Sequence, residues 1–247
     1  MNTSRDTNRW RRLRLTSDFS IVIPAYNEEE RIRQLLSQIP GSGGHYLVIC
    51  DGSDATPAIV REFSAAHPEM DIRCLTYPRR LGKGGAVREG FINAATPLVG
   101  FMDADASTSV NQMISLFDLL DGADCVIGSR WLPESIIPER QGFARRFESR
   151  GFNLLIRFLF GLSLSDTQCG AKVFKKSAID AVIGEILSSG FEFDVELLWR
   201  LSRKGYVIKE YPITWQNKGG SRVRSMDSLR MLLNLVTLRL SGGEGNG

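Results

Sequence analysis

Apolar and polar positions along the first half of the chain switch repeatedly between two spacings. "FSIVIPAY" is an apolar run of strand length, and "NEEERIRQLLSQI" after it returns Ile32, Leu35, Leu36 and Ile39 to one face at helical spacing. "HYLVICDGS" reads as a strand closed by a turn, and "TPAIVREFSAAH" as a helix with Thr56 as N-cap and Pro57 at its first position. "DIRCLTYP" is a short strand, "GKGGAVREGFINA" a helix opened by glycine, and "PLVGFMDAD" another strand. "SVNQMISLFDLL" then spaces Met113, Ile114, Phe117 and Leu120 for a helix ahead of the strand "DCVIGSRW". Strict alternation of this kind predicts an α/β fold, a mostly parallel sheet flanked by helices. Ligands of such sheets bind beyond the carboxyl ends of the strands. Ile21 to Tyr26, Val48 to Asp51, Val99 to Asp105 and Val126 to Arg130 all finish there on polar or aromatic residues.

After Trp131 the alternation stops. "ERQGFARRFESRGFNLLIRFLFGLSL" mixes arginines with aromatic and aliphatic residues, "FEFDVELLWRLSRKG" predicts a helix and "VIKEYPITW" a strand. The expected organisation is a basic flexible arm over 1–18, a single domain over 19–240 and a disordered tail over 241–247. Within the domain the ligand-binding alternation fills 19–131, and the changed pattern fills 132–240. No apolar stretch reaches the ~18 residues of a membrane span. "FNLLIRFLFGLSL" is interrupted by Arg157, and Leu229 to Leu240 by Arg230 and Arg239. The opening "MNTSRDTNRWRRLRL" lacks the apolar centre of a secretory signal.

Composition narrows the chemistry. A net charge of +3 is too small to argue for nucleic acid, although arginines crowd the N-terminus (Arg5, Arg9, Arg11, Arg12, Arg14) and the middle (Arg140, Arg145, Arg146, Arg150, Arg157). Cys50, Cys74, Cys125 and Cys169 form no C-x-x-C pair, which argues against zinc and for reduced cytosolic thiols. With His45 and His67 the only histidines, a Ser-His-Asp triad has little to draw on.

Two stretches carry chemistry of their own. "VGFMDADAST" ends a strand on Asp103 and Asp105, which would share a face wherever the strand continues. Two crowded carboxylates call for a cation; the alternative is a solvated turn in which an aspartate bonds its own backbone. "RRLGKGGAVREG" offers Lys83 and the N–H groups of Gly84 and Gly85 at a helix start, a place for an anion.

Taken in order, "IVIPAYNEEERI", "CDGSDAT", "RRLGKGGAVREG", "FMDADAST", "VIGSRW", "DTQCGAKVF" and "FEFDVELLWR" resemble the family-two glycosyltransferases of the GT-A fold. Within them the likeness is greatest to the dolichyl-phosphate mannose and glucose synthases, and it covers about residues 19 to 230. The resemblance implies a Rossmann-like GT-A sheet with an acceptor-side C-terminal region. It further implies inverting, metal-dependent transfer of a hexose from GDP-mannose or UDP-glucose to a polyprenyl or dolichyl phosphate, at the cytoplasmic face of a membrane. A soluble acceptor, or a silent nucleotide-sugar-binding subunit, is the alternative.

Residue by residue, the resemblance places Asp103 and Asp105 on Mg²⁺ or Mn²⁺, with Ala104 between them at the nucleotide-sugar. Ser107 is either a third oxygen ligand or a helix N-cap. Pro24, Tyr26 and Glu28 match a "P-x-Y-x-E" that lines the nucleotide pocket, Glu28 also falling in the first turn of a helix. Asp51 matches the second aspartate of a "DDGS" that reads the base, and here Cys50 replaces the first. Lys83 joins the donor side, as do Ser221 and Arg222 on a loop closing over the diphosphate, with Arg224 a less secure addition. Arg130, Arg145 and Ser149 match the acceptor-phosphate residues. Asp166 and Gln168 match catalytic positions, Asp166 orienting the sugar or a basic neighbour. Lys172, Asp194 and Glu196 fall on the acceptor and sugar side, Asp194 and Glu196 at a helix start, either at the donor sugar or simply capping that helix. Phe152 to Leu164 is either a membrane-interface segment or an ordinary core helix. The resemblance also allows a membrane-anchoring partner or a homo-oligomer.

Overall fold

The computed structural model describes residues 18–41, 43–138, 143–216, 218 and 225–240; the side chains of 143–150, 152 and 225–230 lie outside that description. All but Asp18 of the expected arm, and the whole expected tail, lie outside the described residues.

Seven strands form one sheet: β1 Phe19–Ala25, β2 His45–Cys50, β3 Asp71–Thr76, β4 Leu98–Met102, β5 Cys125–Ser129, β6 Ala171–Lys175 and β7 Ile208–Pro212. Their order is β3-β2-β1-β4-β6-β5-β7. Neighbours pair in parallel except at β6, which runs antiparallel to both β4 and β5. The helices are α1 Ile32–Leu36, α2 Thr56–Ala66, α3 Gly82–Asn93, α4 Val110–Phe117, α5 Phe143–Phe160, α6 Lys176–Asp180, α7 Phe193–Arg203 and α8 Ser225–Leu240. The expected GT-A architecture, a mostly parallel sheet between helices, is therefore present.

The two-residue period of the strands sorts the core into two layers. Val22, Leu47, Ile49, Val99 and Phe101 pack with Val87 and Phe91 of α3 and with Phe193 and Leu197 of α7. Ile21, Ile23, Val48, Val126 and Val173 pack on the other face with Ile32, Leu35, Met113 and Leu116. Phe101 touches Phe91, Phe174 and Phe193 at ring-centroid distances of 6.2–6.4 Å. Each fully buried ring contributes roughly 1.5–3 kcal/mol of transfer free energy.

Three local expectations are corrected. Thr56 is the first residue of α2 and not its N-cap, so Pro57 is the second; Asp54 Oδ1 accepts the Thr56 N–H at 3.0 Å. Glu28 precedes α1, which has no acidic residue in its first turn, and accepts two bonds from Arg31. The N-cap of α4 is Ser109, whose Oγ accepts the Gln112 N–H, so the capping role weighed for Ser107 falls two residues further on.

Candidate functional site

The antiparallel insertion of β6 builds the site. Because β6 starts where β4 and β5 end, the loop Asp166–Gly170 ahead of it is carried to the ligand edge of the sheet. Asp103 N–H donates to the Gly170 carbonyl at 3.2 Å. β4 stops at Met102, so Asp103 and Asp105 lie in a turn and do not share a strand face as the alternation had suggested. Asp105 Oδ1 accepts the Ser107 N–H at 2.9 Å, and Ala106 takes a left-handed φ of 55°. The D-x-D is thus a backbone-bonded aspartate turn on the ligand rim, so the local geometry of the plain alternative coexists with the exposure a ligand needs. Asp103 keeps 41% of its side chain exposed, whereas Ala104 and Ser107 are buried.

Lys83 Nζ lies 3.0 Å from Asp103 and 3.2 Å from Asp194. Behind it Lys172, fully buried, pairs with the other oxygen of Asp194 and donates to the Cys169 carbonyl. Burial alone would pull the Lys83 ammonium down, but the Asp103 and Asp194 carboxylates outweigh it and hold the group protonated well above its ordinary value. The row Asp103, Lys83, Asp194, Lys172 therefore runs from the rim into the core. Lys172 and Asp194 lie at its inner end.

Glu196 separates from Asp194 because residues two apart on a helix point about 200° from each other. Its carboxylate accepts the Leu187 and Ser188 N–H groups and the Arg200 guanidinium, and it is fully buried. It fixes the loop before α7. The expected anion cradle of α3 is also altered: Gly85 N–H donates to the Ser189 carbonyl at 3.2 Å, Gly84 packs on Phe193, and Lys83 faces carboxylates.

The loops after β1 and β2 are stitched together. Glu28 N–H donates to Thr56 Oγ1, Ser53 N–H to Asn27 Oδ1 and Ala55 N–H to Glu29 Oε2, at 2.8–2.9 Å. Asp51, 6% exposed, accepts the Leu81 and Gly82 N–H groups on Oδ2 and so sets the start of α3. Gly82 has φ +76°, and a side chain there would meet the Ser189 carbonyl at 2.4 Å. Arg80 stacks 4.2 Å from the Tyr26 ring centroid, and Pro24 and Tyr26 are half-buried at the end of β1.

On the other side Asp166, fully buried, holds Arg130 with both oxygens: Nε donates to Oδ2 at 2.7 Å and Nη2 to Oδ1 at 2.9 Å. Of the two roles weighed for Asp166, the structure places it on the basic neighbour. Arg130 retains 19% exposure and lies beside the Trp215 ring, a partner that nothing in the sequence signalled. Gln168 Nε2 approaches Met231 Sδ of α8, and Thr167 donates to Asn153 of α5. The side chains of Arg145 and Ser149, and all of Ser221, Arg222 and Arg224, lie outside the described residues. Gly170 was missed as a site residue, although "QCGAK" holds it: a Cβ there would sit 1.8 Å from Asp103 Oδ2. Gly170→Ala should therefore displace a flexible carboxylate and spare the core. If the D-x-D turn takes the metal that the resemblance implies, the expected result is about tenfold weaker apparent Mn²⁺ affinity at nearly unchanged melting temperature, measured by metal titration and thermal unfolding, with tenfold equal to 1.4 kcal/mol.

Comparison with known proteins decides what these motifs belong to. The sequence profile described as Glycosyl transferase family 2 matches residues 20–183. The chain belongs to glycosyltransferase family 2. It is an α/β hexosyltransferase of that family. A dolichyl-phosphate beta-glucosyltransferase of Saccharomyces cerevisiae is 31% identical over 90% of this chain and 74% of its own length. Glycosyltransferase AglD of Haloferax volcanii is 30% identical over 88% of this chain, which spans only 36% of that longer protein. The structure of a Pyrobaculum calidifontis mannosyltransferase, PcManGT, in complex with GDP-Man and Mn²⁺, superposes over 93% of this chain and 65% of its own, with TM-score 0.63 and 16% identity. That last likeness is one of fold. Within the family 2 frame, the profile spans the loops after β1 and β2, the D-x-D turn and the Arg130–Asp166 pair.

Proposed function

We propose that this family 2 enzyme transfers a hexose, with inversion, from a nucleotide-sugar to a polyprenyl or dolichyl phosphate, the donor being GDP-mannose or UDP-glucose. The observation that carries the acceptor is the likeness to a dolichyl-phosphate glucosyltransferase over nine-tenths of the chain. The donor occupies the rim between Tyr26, Asp51 and the D-x-D turn. Asp103, Asp105 and Ser107 offer hard oxygen donors, one of them substantially exposed, which suit Mg²⁺ or Mn²⁺. Such an ion, when bound, neutralises charge on a diphosphate leaving group.

The chain's own residues do the remaining work. Lys83 fixes the Asp103 carboxylate, and Asp51 fixes the α3 start beneath the donor. Asp166 takes the Arg130 Nε and Nη2 groups and so orients the guanidinium, leaving its remaining N–H groups for the acceptor phosphate, with Arg145 and Ser149 as further acceptor contacts by their motif positions. A phosphate is already anionic near neutral pH, so it attacks the anomeric carbon without a strong general base, and catalysis rests on alignment and charge stabilisation. Gln168 lines the same loop, and Ser221 and Arg222 belong to the donor side by motif position.

The protein acts peripherally at the cytoplasmic face of a membrane. Among the described residues no helix is long and apolar enough to cross one. α5 exposes Leu154 and Phe158, one turn apart, and α8 exposes Leu233 and Leu240; α8 is tied to α5 where Arg239 Nε donates to the Leu159 carbonyl. Phe158 is 86% exposed, so Phe158→Asp should leave the melting temperature unchanged. It should weaken binding to anionic phospholipid vesicles about tenfold or more, because burying such a side chain contributes roughly 1.5–3 kcal/mol. Vesicle sedimentation measures this, and unchanged binding would remove α5 from the membrane contact.

The deciding experiment offers radiolabelled GDP-mannose and UDP-glucose separately to dolichyl phosphate in detergent, with Mn²⁺ or Mg²⁺. Metal-dependent label in the lipid phase from one donor is the expected result. Donor binding without lipid label would instead favour a soluble acceptor or a silent binding subunit.

A further inference from the structure

Cys50 stands where the family pattern has an aspartate, and nothing in the transfer reaction uses it. Its Sγ lies 3.8 Å from Cys74 Sγ on the adjacent strand, the two thiols sharing a hydrogen bond. Cys50 is the last residue of β2 and 2% exposed; Cys74 lies on β3, the sheet's edge strand, and is half-buried. The pair is thus asymmetric, one sulfur reachable and one behind it. We propose that Cys50 and Cys74 form a reversible intramolecular disulfide that switches the nucleotide site.

The chemistry balances with a small-molecule disulfide such as oxidised glutathione. The Cys74 thiolate attacks one of its sulfurs, that S–S bond breaks, and one glutathione thiolate leaves. Cys50 then loses its proton and attacks Cys74 Sγ, and the second glutathione departs and takes that proton. Two protein thiols are oxidised and one glutathione disulfide is reduced to two thiols. Cys74 suits the first step: the hydrogen bond from Cys50 lowers its pKa to about 7 against the opposing effect of burial, and the Arg61 charge helps. Cys50 is raised by the same hydrogen bond and by burial, as befits the resolving thiol. Cys125 and Cys169 are buried and raised by burial, so they serve as unreactive internal references.

The link to the site is one residue long. A disulfide needs the sulfurs about 2 Å apart; Cys74 is in register with Val48, two residues before Cys50, so closure must pull the Cys50 end of β2 back towards Cys74. Cys50 precedes Asp51, whose carboxylate holds the Leu81 and Gly82 N–H groups, and the Cys50 carbonyl accepts the Tyr77 N–H at 2.9 Å. Closing the pair shifts the β2 end on which that loop rests. This second half rests on the donor reading above; the disulfide itself does not.

The test incubates the full chain with glutathione buffers of increasing oxidised fraction and quenches with an alkylating thiol reagent. Peptide mass analysis is expected to show a Cys50–Cys74 linked peptide that dithiothreitol removes, with Cys125 and Cys169 alkylated after unfolding. GDP and UDP binding by calorimetry is expected to fall about tenfold or more on oxidation, to recover on reduction, and to ignore the oxidant in Cys74→Ser. Cys74→Ala is the second variant, since residue 74 is partly exposed and tolerates either. Thiols that stay unlinked, or a persistent Cys74–glutathione adduct in the native protein, would overturn the disulfide. A linked peptide with unchanged affinity would overturn the switch. Reduced protein that binds neither nucleotide would instead count against the donor reading, leaving the linked peptide to stand.

Discussion

Asp105→Ala should abolish sugar transfer and leave the fold standing. If Asp105 helps to hold the cation that neutralises the leaving diphosphate, its loss removes several kcal/mol of transition-state stabilisation, and each 1.36 kcal/mol is tenfold in rate. A fall of about 10³-fold or more in kcat is expected on that basis. The fold has little to lose: Asp105 is half-buried and makes one bond within its own turn, to the Ser107 N–H, of the order of 1 kcal/mol. Single-turnover transfer and urea unfolding of the same preparation separate the two quantities. Full activity with a normal unfolding midpoint would remove Asp105 from the chemistry.

The strands and helices before Trp131 were legible because each buries a side whose period is visible: two for strands and near 3.6 for helices. Ile32, Leu35, Leu36 and Ile39, and Met113, Ile114, Phe117 and Leu120, are all buried as their spacing required. Neither β6 nor its direction was legible: the pattern after Trp131 predicted one strand, the later β7. "GAKVF" looks the same whichever way the strand runs, and only its place between β4 and β5 makes it antiparallel. That direction brings Asp166 to Arg130 and Gly170 to Asp103, contacts between residues 36 and 67 positions apart.

Charged residues in the second half were the harder part. Lys172, Asp194 and Glu196 carry the residue types of a polar site, and the family resemblance assigned them to sugar and acceptor, with a helix-capping role open for Asp194 and Glu196. What separates them is burial, which a local pattern does not encode when the charges neutralise one another. Lys172 finds its counter-charge 22 positions away on α7, and Glu196 finds its own in Arg200 one turn on. The Ser109 cap was hidden by the opposite problem: three hydroxyl residues in "STS" compete, and only the bond to Gln112 selects one.

The row of charges behind the D-x-D turn supports the largest stability effect. Asp194→Asn leaves Lys172 fully buried beside a neutral partner, and breaking a buried pair from one side costs about 3–5 kcal/mol. The same change frees Lys83 from its inner carboxylate, so Asp103 loses a fixed neighbour and the apparent Mn²⁺ affinity falls as well. A double variant, Lys172→Met with Asp194→Leu, removes both buried charges; it should recover much of the stability but not the metal affinity, because Lys83 still lacks its inner anchor. The pH dependence follows with its sign. Burial pushes the Asp194 carboxyl up, but Lys172 and Lys83 outweigh it and hold it below its ordinary value. A carboxyl depressed in the folded state stabilises above its unfolded pKa of about 3.9 and loses that contribution as pH falls through the folded value. Wild-type protein should therefore keep the contribution at neutral pH and shed it below about pH 4, whereas Asp194→Asn should lack that part of its acid limb. Urea midpoints between neutral and acid pH, with Mn²⁺ titrations at neutral pH, test both halves. A variant as stable as wild type would mean that water reaches Lys172 and that the row is not a buried one.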